Sequence, residues 1–175
     1  YPAETIDVVE IEPAVVEAAP LFKAYNNDAL ADSRVNLVIN DGRNFLAKST
    51  KKYDVISSEP SNPWISGIAN LFTKEFFTVA KSRLTDDGIM LQWILLYNLS
   101  PDDLKSVIST FNSVFPYSYA WTSLYTDDLL MIGSVKEHEP NASAARCRAL
   151  IKCARTNCSP RQTIRPLSNV KAAGD

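Results

Sequence analysis

The stretch Tyr53-Asp-Val-Ile-Ser-Ser-Glu-Pro-Ser-Asn-Pro-Trp64 constrains the fold more than any other part of the chain. Val55 and Ile56 lie at the centre of a short run that Pro60 and Pro63 close abruptly. This predicts a buried strand, Tyr53–Ser58, running into a rigid loop. Glu59 stands at the strand's exit, with Asn62, Trp64 and Gly67 just beyond it. Thr73-Lys-Glu-Phe-Phe then reads as a capped helix start with an acid in its first turn. Strand, acidic loop and helix make half of a βαβ unit. In open α/β sheets ligands bind outside the carboxyl ends of the strands, so an acid at that position is a site candidate.

The flanking sequence extends the pattern. Residues 5–12 predict a strand, and Pro13 suits the first turn of a helix with Val15, Val16, Ala19 and Phe22 at its apolar positions. Pro20 falls inside that helix, where proline costs about 3 kcal/mol, so a kink or an early end is expected there. Residues 35–39 predict the next strand, followed by Asn40-Asp41-Gly42 and a short helix with Phe45 and Leu46 inward. A helix over 74–84, with Phe72, Phe76 and Phe77 in the core, is ended by Asp86-Asp87-Gly88. A strongly apolar strand covers 89–96. Ser100-Pro-Asp-Asp103 starts a helix whose core face is Leu104, Val107, Ile108, Phe111 and Phe115. Strands over 117–124 and 129–132, with so short a connection through Tyr125, must pair as an antiparallel hairpin. The alternation predicts an α/β fold: a Rossmann-like, doubly wound, mostly parallel sheet with a C-terminal antiparallel hairpin.

Charge divides the chain at Ser134. Up to that residue there are 17 acidic against 10 basic side chains, and beyond it 3 against 8. Residues 1–134 are therefore read as the folded domain, and 135–175 as a basic, flexible tail without an aromatic residue. The arginines from Arg146 to Arg165 lack interleaved aromatics, so no nucleic-acid partner is expected. No segment reaches the roughly 18 apolar residues of a membrane span. Cys147, Cys153 and Cys158 lack the Cys-x-x-Cys spacing of a zinc site, so they are read as reduced thiols and no metal is expected. His138, in the run Lys136-Glu-His-Glu139, is read as a solvated surface residue.

Three acids or acid–glycine pairs end three successive predicted strands: Glu10/Glu12, Asp41-Gly42 and Glu59. Singly, each is explained better as a helix-capping acid or a solvated charge. Together along one sheet edge they favour a nucleoside pocket. A carboxylate at a strand end accepts both hydroxyl hydrogens of a ribose. Asp41 is placed to receive an amino group, and Gly42 lets the backbone approach a flat ring. Trp64 is read as packing against a neighbouring helix.

Val8-Val-Glu-Ile-Glu-Pro13, Asp32-Ser-Arg-Val35, Asn40-Asp-Gly42, Tyr53-Asp-Val-Ile56, Asn70-Leu-Phe-Thr-Lys-Glu-Phe76, Asp87-Gly-Ile89 and Gln92 resemble the polyamine aminopropyltransferases, the spermidine synthase family. Ser58-Glu-Pro-Ser-Asn-Pro-Trp64 looks most like the spermidine-synthase-like domains fused to membrane transporter segments. The resemblance covers roughly residues 5–134 and implies the fold of class I S-adenosylmethionine-dependent methyltransferases. It implies that Glu10 binds the ribose of a sulfonium nucleoside, with Asp41 and Gly42 at the adenine. Glu59 falls at the family's general base, Asn62 at a second acid that holds the diamine, and Gln92 at the amine side of the pocket. The implied reaction moves an aminopropyl group from decarboxylated S-adenosylmethionine to an amine such as putrescine, without a metal. The implied setting is a homo-oligomer in the cytoplasm, or the cytoplasmic-facing domain of a membrane protein.

Two departures bear on specificity. Glu for Asp at 59 moves the carboxylate outward by one methylene, and Asn at 62 removes a negative charge and weakens the hold on a dication. Methyl transfer from S-adenosylmethionine itself, and a non-catalytic nucleoside-binding or interaction module, are the alternative readings. The family's first strand and glycine-rich loop are expected upstream of Tyr1, so this chain alone is expected to be inactive.

Overall fold

A computed structural model of the protein describes residues 3–122, 127–138 and 165–167. The chain divides into two compact units, one built on Tyr1–Ser49 and the other on Thr50–Pro140 with a strand from the C-terminal region.

In the first unit two strands, β1 (Ile6–Glu10) and β2 (Val35–Ile39), pair in parallel, with Ile6 opposite Val35 and Glu10 opposite Ile39. Helix α1 (Pro13–Ala18) starts at a Glu12 cap and stops where Pro20 enters. The next turn, Ala19–Phe22, is 3-10, and α2 (Lys23–Asn26) follows. The predicted helix is thus cut short at the proline, which lacks an amide hydrogen to continue the ladder. Before β2, Arg34 donates to Asp32 from its backbone and its guanidinium, and this holds the Asp32 carboxyl well below the usual carboxylate range. After β2, α3 (Gly42–Lys48) buries Leu46.

The second unit holds a five-stranded sheet in the order β3 (Tyr53–Ser58), β4 (Leu84–Leu95), β6 (Asp128–Ser134), β5 (Tyr117–Thr122) and β7 (Arg165–Leu167). β3 and β4 run parallel, whereas β6 is antiparallel to both of its neighbours, as the hairpin argument requires. Two helices, α4 (Lys74–Arg83) and α5 (Pro101–Asn112), pack through Phe77 and Phe111, whose rings meet edge to face at 5.0 Å. Phe72, Phe76, Phe77, Phe111 and Phe115 are all buried as expected, although α5 stops at Asn112 and Phe115 lies beyond it. Thr73 and Ser100 cap the two helices through bonds from Phe76 N and Asp103 N.

Four features differ from the sequence reading. β4 begins at Leu84, so Asp86-Asp87-Gly88 is an irregularity within the strand rather than a turn before it. Tyr53 pairs with Leu84 but Val55 with Ile89, and a Cβ at Gly88 would lie 2.9 Å from the Tyr53 carbonyl oxygen. Secondly, β3 is not a wholly buried strand: Ile56 is buried, but Val55 is exposed, because β3 is an edge strand covered on one face. Thirdly, Arg165–Leu167 forms a strand against β5 inside the region read as a tail. The remainder of that region, from residue 139 on, and its three cysteines lie outside the described residues. Finally, the strands form two sheets. β1 and β3 do not pair, and each has an edge with no strand partner among the described residues.

Candidate functional site

The carboxyl ends of β1 and β2 bring Glu10, Asp41 and Gly42 to one edge of the first unit. The Asn40 amide donates to the Glu10 carbonyl at 2.9 Å, which carries the ladder past Ile39. Glu10 Oε1 accepts from the Glu12 amide at 2.9 Å, leaving its second oxygen for another donor. Glu12 itself caps α1, accepting from the Ala14 amide, so helix capping accounts for that acid. Asp41 caps α3 through the Asn44 amide at 2.7 Å, with one oxygen to spare. Gly42 opens α3, and a Cβ added there would meet no atom within 4 Å. The packing does not require glycine at this position.

In the second unit the exits of β3 and β4 gather the other expected residues. Glu59 is exposed immediately after β3, and the Ser57 hydroxyl donates to its Oε1 at 3.2 Å. Gln92 lies opposite Ser58 in the ladder, on the buried face of β4 with Met90 and Ile94. It is fully buried. Its Nε2 donates to the Trp93 carbonyl at 3.2 Å, while Oε1 has no partner. Asn62 is 8% exposed, donates from Nδ2 to the Tyr97 hydroxyl at 2.9 Å, and leaves Oδ1 buried without a partner. An orphaned buried acceptor costs about 1–3 kcal/mol, so Asn62 and Gln92 each carry an oxygen that an incoming donor would satisfy.

Tyr97 escaped the sequence reading. It follows the apolar run of β4, and Asn98 behind it turns the chain at φ +56°, where Asn is tolerated. Trp64 packs edge-on against Tyr97, ring centroids 6.0 Å apart. The two strand-exit loops are therefore joined by one hydrogen bond and one aromatic contact.

Other candidates recede. A cavity of about 190 Å³ lies between α5 and the β5–β6 hairpin, lined by Leu104, Ile108, Phe111 and Met131 among others. None of the expected site residues reaches it, and its apolar walls suit a packing gap rather than proton transfer. His138 is half-buried rather than solvated: its Nε2 is buried without a partner, and Tyr119 donates to its carbonyl at 2.8 Å. Among the described residues no group of three His, Cys, Asp or Glu side chains is placed to hold a metal ion. No helix among them is long and apolar enough to cross a membrane.

Residues 1–145 match the family model for the spermine/spermidine synthase domain. The polyamine aminopropyltransferase of Methanocaldococcus jannaschii is 35% identical over 123 residues, which is 66% of this chain and 41% of that protein. Putrescine N-methyltransferase 2 of Nicotiana attenuata is 34% identical over 137 residues, 76% of this chain and 38% of that protein. The chain thus spans about two fifths of the length of these relatives. A spermidine synthase solved in complex with the transition-state analogue AdoDATO superposes with a TM-score of 0.65 at 22% identity, covering 77% of this chain and 47% of that one. That likeness shows the methyltransferase-like α/β fold.

Proposed function

The chain belongs to the spermine/spermidine synthase family, and we propose that the intact protein transfers an aminopropyl group from decarboxylated S-adenosylmethionine to an amine. The observation that carries this reading is the exit of β3 and β4, where Glu59 is exposed directly after β3 and Asn62 and Gln92 each hold a buried amide oxygen without a partner.

The chemistry suits those groups. A primary amine is protonated at neutral pH and must lose a proton before it attacks. Glu59 binds the ammonium and accepts the proton. The freed nitrogen attacks the aminopropyl carbon on sulfur, the C–N bond forms, and the C–S pair leaves with methylthioadenosine. Gln92 Oε1 and Asn62 Oδ1 orient the acceptor by receiving its N–H or O–H groups. By itself, the first unit offers Glu10 to ribose hydroxyls and Asp41 to an adenine amino group, with Gly42 leaving room for the ring. Positioning and deprotonation supply the catalysis, and no metal is called for.

The N-methyltransferase among the relatives favours one second reading: methyl transfer from S-adenosylmethionine to the same amine, through the same base. Incubating the intact protein with each donor separately, with putrescine and with 4-aminobutan-1-ol as acceptors in parallel, decides between them. Mass spectrometry should find methylthioadenosine from decarboxylated S-adenosylmethionine. S-adenosylhomocysteine alone would establish methyl transfer instead. We place the protein in the cytoplasm or on its face of a membrane, as a homo-oligomer.

A further inference from the structure

The amide of Asn62 is uncharged, 8% exposed and bonded to a tyrosine, and its free oxygen is sealed from water. Resting on the transferase reading above, we infer that Asn62 and Tyr97 form a neutral clamp for the far end of the acceptor. The acceptor is then a monoamine that ends in a hydroxyl or a carboxamide, not a diamine.

The hydrogen-bond inventory gives the reason. Asn62 Nδ2 donates to the Tyr97 oxygen, so the single O–H of the tyrosine remains a donor, and Asn62 Oδ1 remains an acceptor. The clamp therefore offers one donor and one acceptor. A hydroxyl or a carboxamide both gives and receives, and satisfies the two at once. An ammonium has donors only. It would pair with Oδ1, oppose its hydrogens to that of Tyr97, and lie beside an amide that carries no counter-charge, where burial of a charge is costly.

Glu59 is the sole acid between β3 and α4 up to Thr73, and it is committed to the attacking nitrogen. Asp128, at the start of β6, already receives the Trp93 indole hydrogen at 3.2 Å. Beyond Tyr97, Asp102 is paired with Lys105 at 3.1 Å and Asp103 accepts from the Ser100 hydroxyl at 2.6 Å, while Asp127 lies by the β4 exit, where its carbonyl accepts from Leu96 N at 2.7 Å. The edge contact with Trp64 fixes the ring of Tyr97 and makes the indole a reporter of whatever enters.

The test is equilibrium binding to the intact protein with methylthioadenosine present, read by tryptophan fluorescence and calorimetry. The probes are 4-aminobutan-1-ol, 1,4-diaminobutane and n-butylamine. The amino alcohol should bind about tenfold more tightly than either of the others, the value of one or two neutral hydrogen bonds. Tyr97→Phe should erase its advantage over n-butylamine, and Asn62→Asp should reverse the order in favour of the diamine. Unchanged methylthioadenosine affinity in both variants confirms that they fold. Equal or tighter binding of the diamine to the unaltered protein overturns the clamp, most directly if Asp127→Asn abolishes that binding. So does an unchanged order in Asn62→Asp, or no binding of any probe. The underlying transferase reading fails separately, by consumption of neither sulfonium donor with any acceptor.

Discussion

The backbone amide of Asn40 donates to the carbonyl of Glu10, and that one bond holds the ends of two parallel strands at a common level. Glu10 and Asp41 consequently project from the same edge, each with one carboxylate oxygen already taken by a backbone amide. If Glu10 holds a ribose diol, Glu10→Gln should weaken methylthioadenosine binding to the intact protein by about 1.5–3 kcal/mol, the usual loss for a hydrogen bond to a charged group. Calorimetry reads the difference directly. Equal affinities would remove the nucleoside pocket from this edge.

Glu59→Gln keeps the shape of the side chain and removes its basicity. Turnover should fall at least a hundredfold, the low end of what a general base contributes, while nucleoside affinity stays unchanged. Single-turnover kinetics beside a binding titration separate the two quantities. A parallel loss of both would assign Glu59 to binding.

Two glycines make opposite predictions. A Cβ at Gly133 would lie 2.5 Å from Phe115 Cγ and 2.7 Å from Phe111 Cζ, in the middle of the sheet. Gly133→Ala should therefore destabilise the protein by about 1–3 kcal/mol, as overpacked cores do. Gly42→Ala has open space around it and should leave the denaturation midpoint unchanged, or raise it slightly, while impairing nucleoside binding. Urea unfolding of both variants checks the contrast.

The edges of β1 and β3 that have no strand partner among the described residues make a further prediction about the 175-residue chain by itself. Rows of backbone donors and acceptors without partners template pairing with other chains. This chain should self-associate in sedimentation experiments and show weak amide protection in β1 and β3. A monomeric chain with both strands well protected would contradict the expectation.

Much of this architecture is legible in the sequence because the relevant signals are local. Val35–Ile39 and Tyr53–Ser58 stand between strong breakers and fold with the expected bounds. Pro20 ends its helix for lack of an amide hydrogen, and the capping hydroxyls of Thr73 and Ser100 are visible from spacing alone. What escaped depends on tertiary context. Asp86-Asp87-Gly88 has turn chemistry, yet the close approach of the Tyr53 carbonyl draws it into β4. The exposure of Val55 depends on what covers β3, which composition does not encode. Tyr97 acquires a role only through Asn62, 35 residues away in sequence, and no periodicity announces such a bond.

The placement of β6 also sets an order of events during vectorial synthesis. β6 lies between β4 and β5, yet it leaves the ribosome after both. Until Asp128–Ser134 has emerged, β4 and β5 have no strand to join them, and the face that will cover Phe111 and Phe115 stays open. Emergence of those seven residues is thus the step that commits the nascent second unit to closure. A pause in translation just upstream of Asp128 would lengthen the life of the species most exposed to chaperones and to misassembly.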